Sequence, residues 1–119
     1  MKIAIPAKDR QPSAAVDDRL GRAQWFVLYD TDTQAWDAIE NAPTQQPLHG
    51  AGVQSGESLI RAGVTAVLAT HCGPNAFRVL QASGITVFLG AQGTVAETLA
   101  AYQSGSLQPA DAADVGGHR

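Results

Sequence analysis

The chain has 119 residues, enough for one domain with a single hydrophobic core. Hydrophobic residues make up 45% of it and charged residues 16%, which is typical of a globular protein and excludes a largely disordered one. The formal net charge of −3 disfavours a nucleic-acid partner, because contacts to phosphates supply most of that affinity. The single cysteine excludes an internal disulfide bond and a four-cysteine zinc site.

The chain carries no pattern for a membrane or for secretion. No apolar run approaches the roughly 20 residues of a membrane-spanning helix. The N-terminal KIAIPA is typical of a short buried strand and not of a signal peptide. We therefore expect a cytoplasmic domain with no membrane partner.

The first third of the chain predicts a strand, a loop and a hairpin. Residues 2–7 form the strand, and the charged residues, proline and glycine of 8–23 are typical of a loop. Aromatic and β-branched residues at 24–30 and 34–41 flank a Thr-Asp-Thr turn, which predicts two antiparallel strands. Trp25 and Trp36 are interpreted as packing residues of this hairpin.

The remainder predicts alternating helices and strands followed by a tail. The predicted elements are a helix at 51–62, a strand at 64–70, a helix at 76–82 with Phe77 and Leu80 inward, a strand at 85–90, and a helix from Gly93-Thr94 to Tyr102. We expect one domain over residues 1–107 and a flexible tail over 108–119. Together the elements predict an α/β fold: a mixed five-stranded sheet, part antiparallel hairpin and part parallel βαβα half, flanked by helices.

Three glycine-marked turns precede the predicted helices. They are His49-Gly50-Ala51-Gly52, Thr70-His71-Cys72-Gly73-Pro74-Asn75 and Gly90-Ala91-Gln92-Gly93-Thr94. In open α/β sheets ligands bind where strands end and helices begin, and a helix N-terminus presents unpaired N–H groups to an anion. None of the turns matches a dinucleotide or Walker motif. They predict an anion-binding cleft, although each turn by itself is equally typical of helix capping.

Soft and titratable side chains fall in the same turns. Cys72 precedes a helix, where a thiolate is stabilised, so it is a candidate metal ligand or nucleophile. Thiolate and imidazole suit copper and iron, which makes His49 and His71 further candidates. The alternative for Cys72 is a small buried hydrophobic residue, and for His49 an exposed loop imidazole. Adjacent His71 and Cys72 cannot both point the same way, and His71 is the weaker candidate.

One arginine is a candidate anion ligand, and several catalytic schemes are excluded. Arg22 follows Gly21 and offers a fixed fork of N–H donors, whereas Arg19 is interpreted as paired with Asp17 or Asp18. The first strand has no carboxylate for two-metal hydrolysis, and no G-x-S-x-G motif occurs. A Cys72–His49 nucleophilic pair has no identifiable third residue to orient it.

The order of several short motifs is quite specific. They are MKIAIP, DDRLGRAQWFVLYD, IENAP followed by HGAGVQ, GVTAVLATHCGPNAF and GTVAETLAAYQSGSL, which are distributed over residues 1–107. On these motifs the chain resembles the dinitrogenase iron–molybdenum cofactor biosynthesis family, which includes NifX, NafY and the C-terminal part of NifB. It is also similar to that family's orange-protein branch.

The resemblance implies an RNase H-like fold without nuclease activity and a non-enzymatic role in holding a molybdenum- or iron-containing sulfide cluster. The branch implies a molybdenum–copper sulfide cluster, and the other members an iron–molybdenum cofactor precursor. The family's cleft elements match Gly21-Arg22, His49-Gly50, Gly73-Pro74-Asn75 and Gly93-Thr94, in order of the chain. Leu20 stands where many relatives have Phe, and His71-Cys72 where many have small residues.

The sequence therefore predicts a carrier or scaffold for such a cluster, as a monomer or weak dimer, with a protein partner that delivers or receives it. His71 and Cys72 favour the molybdenum–copper form, since they offer soft donors to Cu(I). Two alternatives stay open: a thiol or persulfide enzyme built on Cys72, and a metal-free interaction or regulatory module.

Overall fold

The computed structural model describes residues 1–41 and 50–111. The strands are β1 (Lys2–Ala7), β2 (Trp25–Asp30), β3 (Ala35–Glu40), β4 (Ala66–Ala69), β5 (Thr86–Leu89) and β6 (Gln108–Pro109). The helices are α1 (Gly50–Arg61), α2 (Pro74–Ala82) and α3 (Val95–Gln103), and a 3₁₀ turn occupies Leu20–Arg22. In the described ranges no helix has the length and apolar character needed to span a membrane.

The strands form one mixed sheet in the order β3-β2-β1-β4-β5-β6. β1, β2 and β3 pair antiparallel, whereas β1, β4 and β5 run parallel to one another. This confirms the predicted hairpin and the predicted parallel half. The RNase H-like mixed sheet flanked by helices that the resemblance implies is present.

The sheet has six strands and not the five predicted. The additional strand β6 pairs antiparallel with β5, and the N–H of Ala110 donates to the carbonyl of Val87 at 2.7 Å. β6 lies in the segment predicted as a tail. Two exposed residues, one of them proline, carry no alternation of apolar and polar side chains, so periodicity could not reveal them. The rest of that segment, 112–119, lies outside the described residues.

Helices cover both faces of the sheet and define two apolar clusters. On one face, α1 and α2 pack Leu59, Phe77 and Leu80 against Phe26 and other strand residues. On the other face, α3 packs Val95 and Leu99 against Ile3, Ile5 and Leu68. Because successive strand side chains point to opposite faces, the central strands must be apolar throughout. This explains the unbroken apolar runs of β1 and β4, and it confirms the inward positions predicted for Phe77 and Leu80.

A buried polar cluster fixes the 3₁₀ turn against α1 and the end of β3. The carbonyl of Gly21 accepts a hydrogen bond from Ser55 Oγ at 3.0 Å and a longer one from Asn41 Nδ2 at 3.5 Å. Asn41 Nδ2 also donates to the carbonyl of Ala23 at 2.7 Å, and Asn41 Oδ1 lies 3.2 Å from Ser55 Oγ. Both side chains are buried. The cluster therefore supplies hydrogen-bond donors to the carbonyl groups of Gly21 and Ala23, which the packing of α1 removes from water.

We predict that replacing Asn41 by alanine lowers the free energy of unfolding by about 2 kcal/mol, because buried carbonyls lose their donor. Ser55→Ala should cost about 1 kcal/mol for the same reason. Urea denaturation measures both. Ser58→Ala is the matched control on the same helix, since Ser58 is only partly buried and bonds to the exposed Arg61. Equal losses for the two serine variants would contradict this role of the cluster.

The hairpin turn contains a carboxylate whose hydrogen bonds favour its ionised form. Asp30 Oδ1 accepts from the N–H of Asp32 at 2.8 Å and from the N–H of Thr33 at 3.4 Å. The bond from Asp32 is the largest cause that lowers the pKa of Asp30 from its ordinary value of 3.8. The folded protein therefore binds this proton less tightly than the unfolded chain does.

We predict that ionised Asp30 stabilises the protein fully above a pH of about 4 and that this stabilisation is lost as the pH falls through the lowered pKa. Urea denaturation of Asp30→Asn between pH 2 and pH 6 should show a shallower acid limb than the parent chain. Asp111→Asn, at an exposed position, is the control. An unchanged acid limb in Asp30→Asn would contradict the prediction.

Candidate functional site

A cleft lies at the end of the sheet that is formed by the carboxyl ends of β1 and β4. Its volume is about 340 Å³, and its described lining is Asp18, Arg19, Leu20, Gly21, Arg22, His71 and Gly73. The first five residues belong to the loop and 3₁₀ turn that follow β1, and the last two to the connection from β4 to α2. Because β1 and β4 are parallel, their carboxyl ends lie side by side, and the loops that follow the two strands meet there.

The position of the cleft follows from the strand order. From β1 the chain continues to β2 on one side of the sheet, and from β4 to β5 on the other. The two connections therefore separate and leave a crevice between them, which is the usual ligand site of open α/β sheets. The polar cluster of Asn41 and Ser55 holds the carbonyl of Gly21 and so fixes one wall of this crevice.

The two arginines of the cleft are held differently. Arg19 Nε lies 3.7 Å from Asp17 Oδ1, and the backbone N–H of Arg19 donates to the same oxygen at 3.0 Å. Asp17 is buried, so Arg19 serves to compensate its charge, as the sequence predicted. Arg22 is exposed and forms no ion pair with any described residue. Among the described residues, Arg22 is therefore the arginine of this cleft whose guanidinium is not paired with a carboxylate.

The connection from β4 to α2 gives its three predicted residues different environments. His71 is exposed and lines the cleft, and Gly73 is the N-cap residue of α2 and also lines it. Cys72 is 1% exposed and packs in the apolar cluster beneath α1 and α2. Its Sγ lies 3.7 Å from the carbonyl oxygen of Gly73. Alternation along the extended segment places His71 and Cys72 on opposite sides, as expected from sequence.

Helix α2 begins beside the cleft. Pro74 occupies its first turn, in agreement with the prediction, and Asn75 follows as an exposed residue. Neither lines the cleft in the described structure, whereas Gly73 does. Proline fits here because the first helical N–H has no partner within the helix. Glycine at the N-cap leaves the helix start open to the cleft, since it has no side chain.

The turn Gly93-Thr94 lies elsewhere, at the start of α3 on the other face of the sheet. The sequence predicted unpaired N–H groups at this turn. That prediction is wrong, because the N–H groups of the first turn of α3 all have hydrogen-bond partners. Val95 and Ala96 donate to the carbonyls of Ala14 and Pro12, each at 2.9 Å, and Glu97 donates to Thr94 Oγ1 at 3.1 Å. Thr94 and Glu97 form a capping box. The loop after β1 and this box satisfy the donors that the sequence assigned to an anion.

The remaining predicted residues lie at the start of α1. Gly50 and Gly52 belong to its first turn, and His49 lies outside the described residues. Among the described residues, no group of three or more histidine, cysteine, aspartate or glutamate side chains is close enough to hold a metal ion.

Sequence reasoning missed five residues that shape the site. Asp18, Arg19 and Leu20 line it, although they belong to the DDRLGR motif from which only Gly21 and Arg22 were selected. The positioning role of Asn41 and Ser55 had no signal in the sequence, because they are 14 residues apart and meet only through tertiary packing. Asp17 anchors Arg19 as predicted.

Comparisons with known proteins agree on one family. The family model described as dinitrogenase iron-molybdenum cofactor matches residues 1–105. The apo form of the orange protein from Desulfovibrio gigas is 33% identical, with a TM-score of 0.90 and coverage of 96% of each chain. A NifB-like protein from Thermotoga, of the DUF35 family, is 35% identical, with a TM-score of 0.79 and coverage of 91% of each.

A sequence relative extends the similarity. An uncharacterised protein of Methanocaldococcus jannaschii is 26% identical over 111 residues, which are 91% of this chain and 90% of the relative. The family model, the two solved structures and the motifs that carry the resemblance all span nearly the whole domain. The chain belongs to the dinitrogenase iron–molybdenum cofactor family.

Proposed function

We propose that this chain binds an anionic, molybdenum-containing metal–sulfide cluster in the cleft between the 3₁₀ turn and the start of α2. It acts as a carrier or scaffold and not as a catalyst. A protein partner delivers the cluster to it or receives the cluster from it. The observation that carries the proposal is an uncommitted Arg22 beside a helix start, in a cleft at the strand-order switch of a protein of this family.

The size and composition of the cleft support a compact anion. About 340 Å³ is at the lower end of the range for small-molecule sites. Sulfide clusters bring their own bridging ligands, so they need few metal-binding side chains from the protein. N–H donors that contact the sulfides, together with one uncompensated cation, suffice to hold such an anion.

The donors have distinct roles in this proposal. Arg22 donates to the sulfides from a fixed planar fork, and Arg19 adds positive charge while it remains paired with Asp17. The positive end of α2, open at Gly73, faces the same space. His71 is the side chain of the β4–α2 connection that we propose as a metal or sulfide contact.

The form of the cluster depends on the soft donors. We propose a molybdenum–copper sulfide cluster, as in the orange-protein branch, with an iron–molybdenum cofactor precursor as the alternative. Imidazole suits both copper and iron, so His71 fits either form, and the 33% identity to the orange protein supports the first. His49, Pro74, Asn75 and the first turn of α1 at Gly50 and Gly52 are proposed to border the site. Cys72 lies in the apolar core and contacts the cluster only if its segment rearranges.

We predict that Arg22→Gln weakens cluster binding at least about 10-fold, because a charge-assisted hydrogen bond contributes roughly 1.5–3 kcal/mol. The measurement adds tetrathiomolybdate and Cu(I) to the purified chain under anaerobic conditions and follows the visible charge-transfer band during gel filtration. Molybdenum and copper in the protein fraction are then determined by elemental analysis.

Arg61→Gln is the matched control, since it removes the same charge from an exposed position at the far end of α1. It should bind within about two-fold of the parent chain, as surface charges have small effects. Equal losses for the two variants would contradict a specific role of Arg22. If neither the molybdenum–copper mixture nor an iron–sulfide precursor gave a retained chromophore, cluster binding itself would be abandoned.

We predict that Cys72 is not a reactive thiol in the native chain. Its 1% exposure should make alkylation by iodoacetamide at least about 100-fold slower than in urea, because reaction requires local opening of the core. Mass spectrometry measures both rates. Fast native alkylation would instead favour the thiol or persulfide enzyme. Cys72→Ser should retain the chromophore, and loss of the chromophore in a folded Cys72→Ser protein would assign Cys72 to the cluster.

A further inference from the structure

Charge is distributed unevenly over the sheet. The hairpin segment 24–41 contains Asp30, Asp32, Asp37 and Glu40 but none of the eight lysines and arginines of the chain. Asp30 and Asp32 lie near the amino group of Met1, at 4.0 and 3.0 Å. Asp37 and Glu40 are exposed on β3 and form no ion pair with a described residue. The edge strand β3 and its hairpin therefore contribute only acidic charges, while Lys2 and Arg10 from other segments line the clefts beside them.

The outer edge of β3 also carries backbone groups that no strand of the described residues pairs with. β3 pairs with β2 on one side only and ends the sheet. The N–H of Asn41 donates to the carbonyl of Gln24 at 3.0 Å, which makes these two residues a hydrogen-bonded pair of the antiparallel ladder. Since such pairs alternate, the backbone groups of Trp36, Ala38 and Glu40 point away from β2.

One of these outward N–H groups is covered by a side chain of β3 itself. The N–H of Ala38 donates to Asp37 Oδ1 at 2.8 Å. A cation that took up the Asp37 carboxylate would weaken this bond and expose the N–H to an incoming strand. The outward N–H groups of Trp36 and Glu40 have no hydrogen-bond partner among the described residues. The edge is therefore matched to a strand that brings positive charge with it.

Aromatic rings lie beside the same edge. A second cleft, of about 330 Å³, is lined by Arg10, Trp25, Trp36, Asp37 and Ala38. The guanidinium carbon of Arg10 lies 5.8 Å from the centre of the Trp25 ring, so an indole of this surface already contacts a cation. Trp36 is partly buried against Tyr29, with ring centres 4.7 Å apart. Asp37 lines the same cleft, so an incoming cationic side chain would share the indole rings with Arg10 and lie beside an acidic residue.

We propose that the outer edge of β3 is the docking site for an extended, lysine- or arginine-containing segment of a partner protein. The segment adds to the sheet as a further strand and exchanges hydrogen bonds with the backbone of Trp36, Ala38 and Glu40. Its cationic side chains contact Asp37, Glu40 and the neighbouring indoles. Charge complementarity supplies the preference for a basic segment, and the backbone pairing supplies its extended conformation.

A second copy of this chain is the disfavoured occupant. Pairing of two β3 strands would bring the Asp37 and Glu40 carboxylates of both copies close together along one pair of strands. Like charges across a strand pair are destabilising, and charged residues on edge strands are a common protection against self-association. The same carboxylates attract a basic partner.

The docking edge is connected to the cleft that we propose for the cluster. β3 ends at Glu40, and the next residue, Asn41, bonds to the carbonyl of Gly21 in the wall of that cleft. A partner on β3 would therefore lie beside the site that it loads or unloads. This link rests on the proposed function, whereas the docking itself does not and is tested on the chain alone.

The test uses two acetylated, amidated seven-residue peptides with the same four lysines. In one, lysine alternates with valine and threonine; in the other, prolines replace those spacers and prevent strand pairing. We expect the first peptide to bind at low salt and to slow hydrogen exchange of the Trp36, Ala38 and Glu40 amides, followed by ¹⁵N NMR. The proline peptide should bind at least about 5-fold more weakly and protect none of them.

Three variants sharpen the test. Asp37→Asn with Glu40→Gln should weaken binding of the first peptide about 5- to 10-fold, while the charge-matched pair Glu57→Gln with Asp111→Asn changes it less than two-fold. Ala38→Pro removes an outward N–H that β2 does not use, so the fold should persist and the amide protection should be lost. If Ala38→Pro does not fold, the carboxylate variants carry the test.

Several results would overturn the proposal. Equal binding of both peptides would show that charge attraction alone binds them, and would exclude the addition of a strand to β3. Protection of amides elsewhere, or no binding of either peptide, would remove the docking site. Self-association of the chain with protection of the same three amides in the absence of peptide would identify a second copy as the occupant.

Discussion

The site depends on one topological constraint, the parallel pairing of β1 with β4 at the centre of the sheet. β1 is buried on both faces, antiparallel to β2 on one side and parallel to β4 on the other. Both central strands have their carboxyl ends on the same side of the sheet, and the chain leaves them in opposite directions. A crevice between these two strand ends is therefore unavoidable, and the loops that follow β1 and β4 form its walls.

The walls are held by polar groups within an otherwise apolar layer. Asn41 and Ser55 come from β3's end and from α1, yet both bond to the 3₁₀ turn. Buried polar groups are stable only when their partners are in place, so this cluster specifies a single position of the turn. Asp17 pairs with Arg19, whereas Arg22 lines the cleft and forms no ion pair with a described residue.

The cleft and the β2–β3 hairpin differ in the charges that they carry. Arginines and a helix start surround the cleft, whereas the β2–β3 hairpin carries carboxylates and no basic residue. A net charge of −3 conceals this separation. The two proposed ligands, an anionic cluster and a basic protein segment, would thus be attracted to neighbouring but distinct surfaces.

The sequence by itself determined the order of most elements and the family. Apolar runs at 2–7 and 64–70, the aromatic hairpin and the spacing of Phe77 and Leu80 follow from local periodicity, which is why they were predictable. The sequence also marked the cleft through Gly21, Arg22 and Gly73. It could not reveal β6, whose two residues become a strand only because β5 offers them an edge.

Tertiary structure decided which marked residues share the site. Gly93 and Thr94 look like an anion-binding turn in sequence, but the loop after β1 folds over and takes up the first N–H groups of α3. Cys72 and His71 are neighbours in the chain, yet one enters the core and the other lines the cleft. Asn41 and Ser55 acquire their role through packing alone. Local pattern specifies which groups are available, and only the long-range pairing of backbone and side chains determines which of them remain open to a ligand.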